Sequence, residues 1–240
     1  MEREDWDRRY GGTELIWTAE PNRFVVEELG DLPAGRALDL GAGEGRNAVW
    51  LAERGWRVTA VDFSPVALDK ARRLARARGV SVDWALEDLR DYQPEQAAYD
   101  LVLAAYLHLL PAGRAAVLGG AVAALARCGT LLVVGHDLAN LTEGVGGPQD
   151  PAVLYTSKAI VAELDGLTVR RAGRVRRPVD IVAETGGRST RWCSPPATER
   201  PTDGCARTGV RGGAVRAAAA PPAGPRRRGR PARRRRCPRR

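Results

Sequence analysis

The chain has 240 residues, enough for one domain of medium size with a sizeable core, and its formal net charge is +9. The charge is unevenly divided. Residues 1–185 contain 22 Lys and Arg against 27 Asp and Glu, whereas residues 186–240 contain 16 Arg against two acids. The first 185 residues are therefore mildly acidic, which makes nucleic acid an unlikely partner of a domain formed there.

The sequence also argues against a membrane or secreted location. No apolar run approaches the ~20 residues of a membrane span, and the first five residues are too polar and acidic for a signal peptide. The four cysteines form no C-x-x-C pair, and both histidines are distant from them in sequence, so the pattern supports neither a metal centre nor a disulfide framework. The sequence predicts a cytoplasmic protein.

Strand-like apolar runs alternate with helix-like periodic segments through the first 185 residues, the pattern of a doubly wound, mostly parallel α/β sheet. Ser64 and Pro65 predict a helix start, and Gly79 predicts its end. In chain order the pattern predicts a helix over 20–29, a strand ending at 40, a helix from 48, a strand over 57–61, the helix from 65, a strand near 80–83, a strand over 99–105, a helix over 112–126, a strand over 129–135, a helix over 157–164 and a strand over 167–175.

The most informative stretch follows the first predicted strand and reads Leu38-Asp39-Leu40-Gly41-Ala42-Gly43-Glu44-Gly45. Three glycines at alternate positions let a ligand approach the backbone, and the helix start leaves unpaired N–H groups beside it. Arg46 stands where a dinucleotide-binding motif would have its third glycine. A carboxylate at Asp39 would repel a pyrophosphate but suits an ammonium group. S-adenosylmethionine carries such an ammonium and no phosphate.

Two further acids follow later predicted strands. Asp62 ends the run Val58–Val61, and an acid about 20 residues after a glycine loop commonly binds ribose hydroxyls. Asp88 follows the next strand-like segment, and a fourth strand begins at Tyr99-Asp100-Leu101-Val102. Four such elements in register point to a nucleoside-binding site at the carboxyl ends of the strands.

Together these motifs resemble the class I S-adenosylmethionine-dependent methyltransferases that act on small molecules. The leader, with Trp6–Tyr10 and Glu20–Phe24, resembles the tellurite-resistance and thiopurine-like branch. The resemblance implies a Rossmann-like class I methyltransferase fold with S-adenosylmethionine as cofactor. It assigns the methionine part of the cofactor to the glycine loop and the remaining groups to the acids and their neighbours: Gly41, Gly43 and Gly45 for the backbone approach, Asp39 for the ammonium, Asp62 for ribose, Phe63 for the adenine face, Asp88 for the adenine amino group and the Leu89 amide for a ring nitrogen.

Polar side chains after the fourth and fifth strands indicate where the methyl acceptor would bind. Tyr106 and His108 follow one strand, and His136 and Asp137 follow the other, so we expect all four to border the transferred methyl group. Tyr106, His108 and His136 are the candidate catalytic residues. The leader aromatics Trp6, Tyr10 and Trp17 either cover the cofactor or pack on the rim of the sheet.

After about Ala183 the composition changes to Arg, Pro, Ala and Gly, with almost no large apolar residue. The sequence therefore predicts a methyltransferase domain over 1–185 and a disordered tail over 186–240. The resembled fold needs a final antiparallel strand between strands five and six, and none is recognisable after Thr185, so that strand is expected to be missing. The abrupt change leads to the hypothesis that this segment is an out-of-frame translation of a GC-rich gene.

The leading functional prediction is methyl transfer from S-adenosylmethionine to a small molecule such as a thiol or a chalcogen oxyanion. Three alternatives stay open at this stage: an inactive, truncated methyltransferase, an NAD(P)-binding oxidoreductase, and a protein that binds nucleic acid through its basic tail alone. The partner expected is the small-molecule acceptor, without membrane or specific nucleic acid.

Overall fold

The computed structural model of the protein describes residues 2–144, 146–178 and 209–219. Its helices are α1 (Arg3–Tyr10), α2 (Arg23–Leu29), α3 (Arg46–Glu53), α4 (Pro65–Ala77), α5 (Pro111–Ala124), α6 (Asn140–Glu143) and α7 (Ser157–Ala162). Its strands are β1 (Arg36–Leu40), β2 (Arg57–Asp62), β3 (Asp83–Leu86), β4 (Tyr99–Ala105), β5 (Leu125–His136), β6 (Leu167–Pro178) and β7 (Gly209–Ala219).

The seven strands form one mixed sheet in the order β3-β2-β1-β4-β5-β7-β6. The first five strands pair in parallel, and β7 pairs antiparallel with both β5 and β6. This topology confirms the predicted Rossmann-like α/β sheet. Strand order reverses between β1 and β4, and ligands of open α/β sheets bind at such a reversal, beyond the carboxyl ends of the strands.

The central strands are apolar on both faces because helices cover both sides of a parallel sheet. On one face Leu38 and Leu40 pack in a core that includes Leu118 of α5. On the other face Ala37 packs in a core that includes Val25 of α2. Asp39 lies between these apolar neighbours and is the buried charged side chain of β1, near the carboxyl end of the strand.

Local signals fixed most boundaries to within a few residues. Asn22 caps α2 by accepting from the Phe24 N–H, and Ser64 caps α4 by accepting from the Ala67 N–H. The main displacement is β3, predicted near 80–83 and observed at Asp83–Leu86. The apolar residue Val82, which suggested the earlier strand, is buried just before it.

The prediction that the last strand is missing is wrong. β7 lies between β5 and β6, with Val133 opposite Val215 and Leu131 opposite Ala217. Both β7 side chains are buried, at 1% and 0% exposure. A central strand is held largely by its two ladders of backbone hydrogen bonds, so alanine and valine suffice where larger apolar residues were expected. The strand lies in the segment 186–240 for which disorder was predicted; residues 186–208 and 220–240 lie outside those the structure describes.

A second correction concerns cysteine. Cys128, an exposed residue of β5 with a positive φ of 65°, is disulfide-bonded, although the cysteine pattern supported no disulfide framework. Among the described residues, no helix has the length and apolar character needed to cross a membrane.

Candidate functional site

The glycine loop connects β1 to α3 and follows a left-handed path. Gly41, Gly43 and Gly45 have φ values of 73°, 56° and 81°, which side chains with a Cβ rarely adopt. At Gly45 a Cβ would also lie 2.7 Å from Trp84 Cη2. The three glycines are therefore required by backbone conformation, and the last also by close packing.

Asp62, at the end of β2, holds this loop in place. Its Oδ2 accepts from the Gly43 N–H at 2.7 Å, and its Oδ1 accepts from the Ser64 N–H at 2.9 Å. Burial raises the pKa of Asp62, while these backbone hydrogen bonds oppose the rise. The carboxylate that was predicted to bind ribose thus also fixes the loop to the start of α4.

Asp39 is buried to 1% exposure beside Asp62. Its Oδ2 has no hydrogen-bond partner among the described residues. Burial, together with repulsion by Asp62, raises the pKa of Asp39 to about 7, and Arg46 acts in the opposite direction. A buried carboxylate oxygen without a partner is costly, and a ligand ammonium would satisfy it. The site therefore fits the ammonium arm of S-adenosylmethionine.

The predicted adenine side is more open. Phe63 and Leu89 are half-buried, and the Asp88 side chain is 20% exposed. Arg90 donates to both oxygens of Asp88 and, together with the Arg90 N–H, lowers the pKa of that carboxyl. Asp88 is thus ionised and can accept a further hydrogen bond, while the Arg90 guanidinium occupies one side of its carboxylate.

The leader packs directly on the glycine loop, a position that agrees both with a cover over the cofactor and with packing on the rim of the sheet. Tyr10 is buried, and a Cβ at Gly43 would lie 3.1 Å from its hydroxyl oxygen. Trp6 stacks on Tyr10 with ring centroids 5.5 Å apart, and the Arg9 guanidinium lies 5.4 Å from the centre of the Trp17 ring. Asp7 accepts from the Ser64 hydroxyl.

A buried ion pair that we did not predict anchors this leader. Glu44, inside the glycine loop, pairs with Lys70 of α4 at 3.1 Å, and both side chains are less than 5% exposed. Glu44 also accepts from the backbone N–H groups of Ile16 and Trp17, while Lys70 donates to the Glu14 carbonyl. Both charges thus also form hydrogen bonds with the leader, which compensates part of the cost of burying them.

The signal for this pair was present in the sequence. Ala67, Lys70, Ala71 and Leu74 follow the i, i+3, i+4, i+7 spacing of one helix face, so a lysine stands among residues of the core face. A buried lysine needs a carboxylate partner, and Glu44 is the acid in the adjacent loop.

The two histidines meet at the carboxyl ends of β4 and β5. His108 Nε2 lies 2.9 Å from His136 Nδ1, and His108 Nδ1 lies 3.1 Å from the Val153 carbonyl oxygen. Burial lowers the pKa of His108. The ring of Tyr155 stacks on His108 at 5.6 Å, and Gly147 leaves room for the His136 ring.

Hydrogen bonding sets the tautomers of this histidine pair. The Val153 carbonyl can only accept, so His108 Nδ1 carries a hydrogen, and Nε2 of the neutral ring accepts. His136 Nδ1 then donates to it. The Nε2 of a neutral His136 is consequently the nitrogen that can take up a proton.

Tyr106 and Asp137 complete the acceptor side. Tyr106 has a φ of 60°, a strained conformation for an aromatic residue, and its ring meets that of His136 edge-on at 4.9 Å. Among the described residues, its buried hydroxyl has no hydrogen-bond partner. Asp137 is likewise buried, and its Oδ2 is unpartnered within the same part of the chain. The structure thus brings Tyr106, His108 and His136 together, and their role at the methyl group stays a prediction.

Sequence comparison finds a methyltransferase domain over residues 37–137. Over 69 residues the chain is 42% identical to a ubiquinone biosynthesis O-methyltransferase of Methylocella silvestris, covering 29% of this chain and 27% of that protein. Over 57 residues it is 48% identical to a tRNA 5-carboxymethoxyuridine methyltransferase of Escherichia coli, covering 24% and 22%. The similarity thus spans less than a third of each of these relatives.

Solved structures extend the similarity to the whole fold. The N-methyltransferase NodS of Bradyrhizobium japonicum, in complex with S-adenosylhomocysteine, has a TM-score of 0.63 at 16% identity and covers 90% of this chain and 97% of its own. TehB of Haemophilus influenzae, a tellurite-resistance type of protein, has a TM-score of 0.61 at 15% identity and covers 91% and 67%.

The fold and the loop geometry are those of a class I methyltransferase with S-adenosylmethionine as cofactor. Residues 37–137, somewhat less than half of the chain, match a methyltransferase domain.

Proposed function

We propose that this protein transfers the methyl group of S-adenosylmethionine to a small-molecule acceptor. The observation that carries the proposal is the glycine loop with the buried, unpartnered Oδ2 of Asp39 beside it. Asp39 would bind the cofactor's ammonium, Gly41, Gly43 and Gly45 would border its methionine part, and Asp62 its ribose. Phe63, Asp88 and Leu89 would surround the adenine.

When bound, the cofactor supplies a methyl group activated by its sulfonium. The protein's contribution is then alignment and exclusion of water. Tyr10, Trp6 and Trp17 pack over the glycine loop and would keep water from the methyl group. The buried Tyr106 hydroxyl, directed by a strained backbone, would orient the acceptor.

The histidine pair supports an acceptor that loses a proton during transfer, a thiol or a hydroxyl. His136 Nε2 would receive that proton, and His108, fixed by Val153, would hold His136 in the required tautomer. An already ionised chalcogen oxyanion needs no base. It remains the second candidate because the leader resembles the tellurite-resistance branch and because TehB shares the fold.

Two earlier alternatives lose their support. The inactive, truncated enzyme was suggested by a missing strand, and β7 occupies that position. In an NAD(P)-dependent enzyme, the Asp39 carboxylate would lie close to the pyrophosphate of the cofactor, and the two negative charges would repel each other.

The test is detection of a methylated product by mass spectrometry with a panel of thiols, phenols and chalcogen oxyanions. Isothermal titration with S-adenosylmethionine, and with NAD as control, measures cofactor choice independently. We expect binding of S-adenosylmethionine, no binding of NAD, and one acceptor class methylated. The combination Gly43→Val and Asp62→Ala should abolish both binding and product, and activity retained in that variant would refute the site.

A further inference from the structure

Beyond β5 the structure contains a cleft of about 620 Å³ that the proposed chemistry has not used. Asp137 and the segment around Leu138–Thr142 form one wall, and Thr156–Lys158 at the start of α7 form another. Arg174 of β6 closes the third side. The cleft thus lies at the carboxyl edge of the sheet, the edge at which α/β proteins bind their ligands.

The cleft adjoins the histidine pair through two chain connections. Asp137 directly follows His136, and Thr156 directly follows Tyr155, whose ring stacks on His108. An isolated bridge between Asp137 and Tyr155 ties the two segments together. A molecule with its reactive atom at His136 could therefore extend into this cleft.

Two cations line the cleft. Lys158 and Arg174 are exposed and make no ion pair with any described residue. Two unpaired cations that line one concave surface favour an anion, since they can bind it from two sides.

Asp137 supplies the second, independent observation. It is 2% exposed, its Oδ1 accepts from the Ala139 N–H at 3.0 Å, and its Oδ2 is a buried acceptor with no partner among the described residues. A buried carboxylate oxygen without a donor is rare, because it keeps the full cost of desolvation. A ligand that brings a hydroxyl or ammonium hydrogen to this oxygen would remove that cost.

The wall beside these charges is apolar. Leu138 is 43% exposed, and Leu141 and Ala139 also line the cleft. Such a surface suits an apolar body between the reactive atom and the anionic group.

We propose that this cleft binds the non-reacting end of the methyl acceptor, and that this end is an anionic group held by Lys158 and Arg174, with a hydrogen-bond donor near Asp137. The proposal rests on methyl transfer at His136 as proposed above. It narrows the acceptor class to small carboxylic acids or phosphate esters with an apolar body.

The experiment compares matched probes on the full chain with S-adenosylhomocysteine bound. Isothermal titration measures 4-hydroxybenzoate against 4-hydroxybenzyl alcohol, and 3-mercaptopropionate against 3-mercaptopropanol, so each pair differs in its anionic group. We expect the anion of each pair to bind roughly 10- to 100-fold more tightly, the range of charge-assisted hydrogen bonds. In the double variant Lys158→Gln and Arg174→Gln this preference should disappear.

A matched control separates a local effect from net charge. The double variant Arg73→Gln and Arg76→Gln removes the same charge from exposed positions of α4 and should keep the preference. Unchanged affinity for S-adenosylhomocysteine verifies that both variants are folded.

The outcomes distinguish this proposal from the function on which it rests. If the cation-dependent preference appears but neither the probes nor any panel compound is methylated, the assignment of the cleft is supported and the proposed methyl transfer is refuted. If compounds are methylated but wild type shows no preference for the anions, or the preference survives in the Lys158 and Arg174 variant, the cleft assignment is overturned.

Discussion

Asp39 is the residue at which cofactor binding and pH should be coupled. Its pKa of about 7 means that the free site is partly protonated near neutrality, whereas an ammonium ligand requires the carboxylate. Affinity for S-adenosylmethionine should therefore rise roughly tenfold from pH 6 to pH 7.5, because the ionised fraction rises by about that factor. Titration calorimetry across this range measures it.

The variant Asp39→Asn tests the same residue without the charge. Affinity for S-adenosylmethionine should fall roughly 10- to 100-fold, and its dependence on pH should flatten. The ligand-free variant should gain stability relative to wild type as pH rises. A folded-state pKa raised above the unfolded value stabilises the native state below about pH 4, and this contribution is lost as pH rises through 7. Wild-type affinity that is flat between pH 6 and pH 7.5 would contradict the assignment.

The loss of kcat on removing His136 should depend on the pKa of the methyl acceptor. The variant His136→Ala should lower kcat roughly 10²- to 10⁴-fold with a phenol, the usual range for a lost general base. With selenite, which is already ionised, the loss should be much smaller. Burial lowers the pKa of His108, so its ring stays neutral below the usual histidine range and its Nε2 keeps accepting from His136 Nδ1. Equal losses with both acceptors would assign His136 a purely structural role.

At the scale of elements, the leader and the glycine loop behave as one unit because of Glu44 and Lys70. The variant Lys70→Met leaves a buried carboxylate without its cation and should destabilise the protein by about 3–5 kcal/mol in urea unfolding. Arg72→Met is the control: its pair with Asp69 is exposed, so its loss should cost less than about 1 kcal/mol.

A second readout separates the leader from the rest of the fold. Limited proteolysis should cut near Glu14–Trp17 first in Lys70→Met, since the Glu14 carbonyl loses its donor and the hold of Glu44 on the leader weakens. An intact leader in a destabilised variant would show that the pair supports α4 alone.

Elements with local signals were predictable, and those decided by distant contacts were not. The glycine loop, the Ser64 cap and the convergence of the two histidines follow from spacing and from parallel topology. The pairing of Glu44 with Lys70 requires knowing that α4 packs on the loop, although Lys70 on an apolar helix face was a usable hint. β7 was missed because a strand between two partners is stabilised by backbone ladders, and its small side chains carry no apolar pattern.

At the scale of the whole molecule, β7 joins β6 to the rest of the sheet. The variant Ala217→Asp buries a charge at a position with 0% exposure and should lower the free energy of unfolding by more than about 3 kcal/mol. The same substitution at the exposed Ala77 of α4 should change it by less than about 1 kcal/mol. Circular dichroism during urea unfolding measures both, and equal stabilities would mean that the strand contributes nothing.

The out-of-frame origin of residues 186–240 stays a prediction, tested by sequencing the gene and its near relatives. Relatives that encode the same Arg-rich segment in frame would refute it, while a frame change near residue 183 would support it.

The position of β7 also has a consequence for synthesis of the chain. β7 is made last of the strands, yet it lies between two that are made earlier, and residues 179–208 separate it from β6. Until residue 219 leaves the ribosome, β5 presents one unpaired edge, with Leu131 and Val133 beside it. Closing so distant a contact is slow. Until β7 is in place, we therefore expect the nascent chain to be prone to pairing that edge with another molecule.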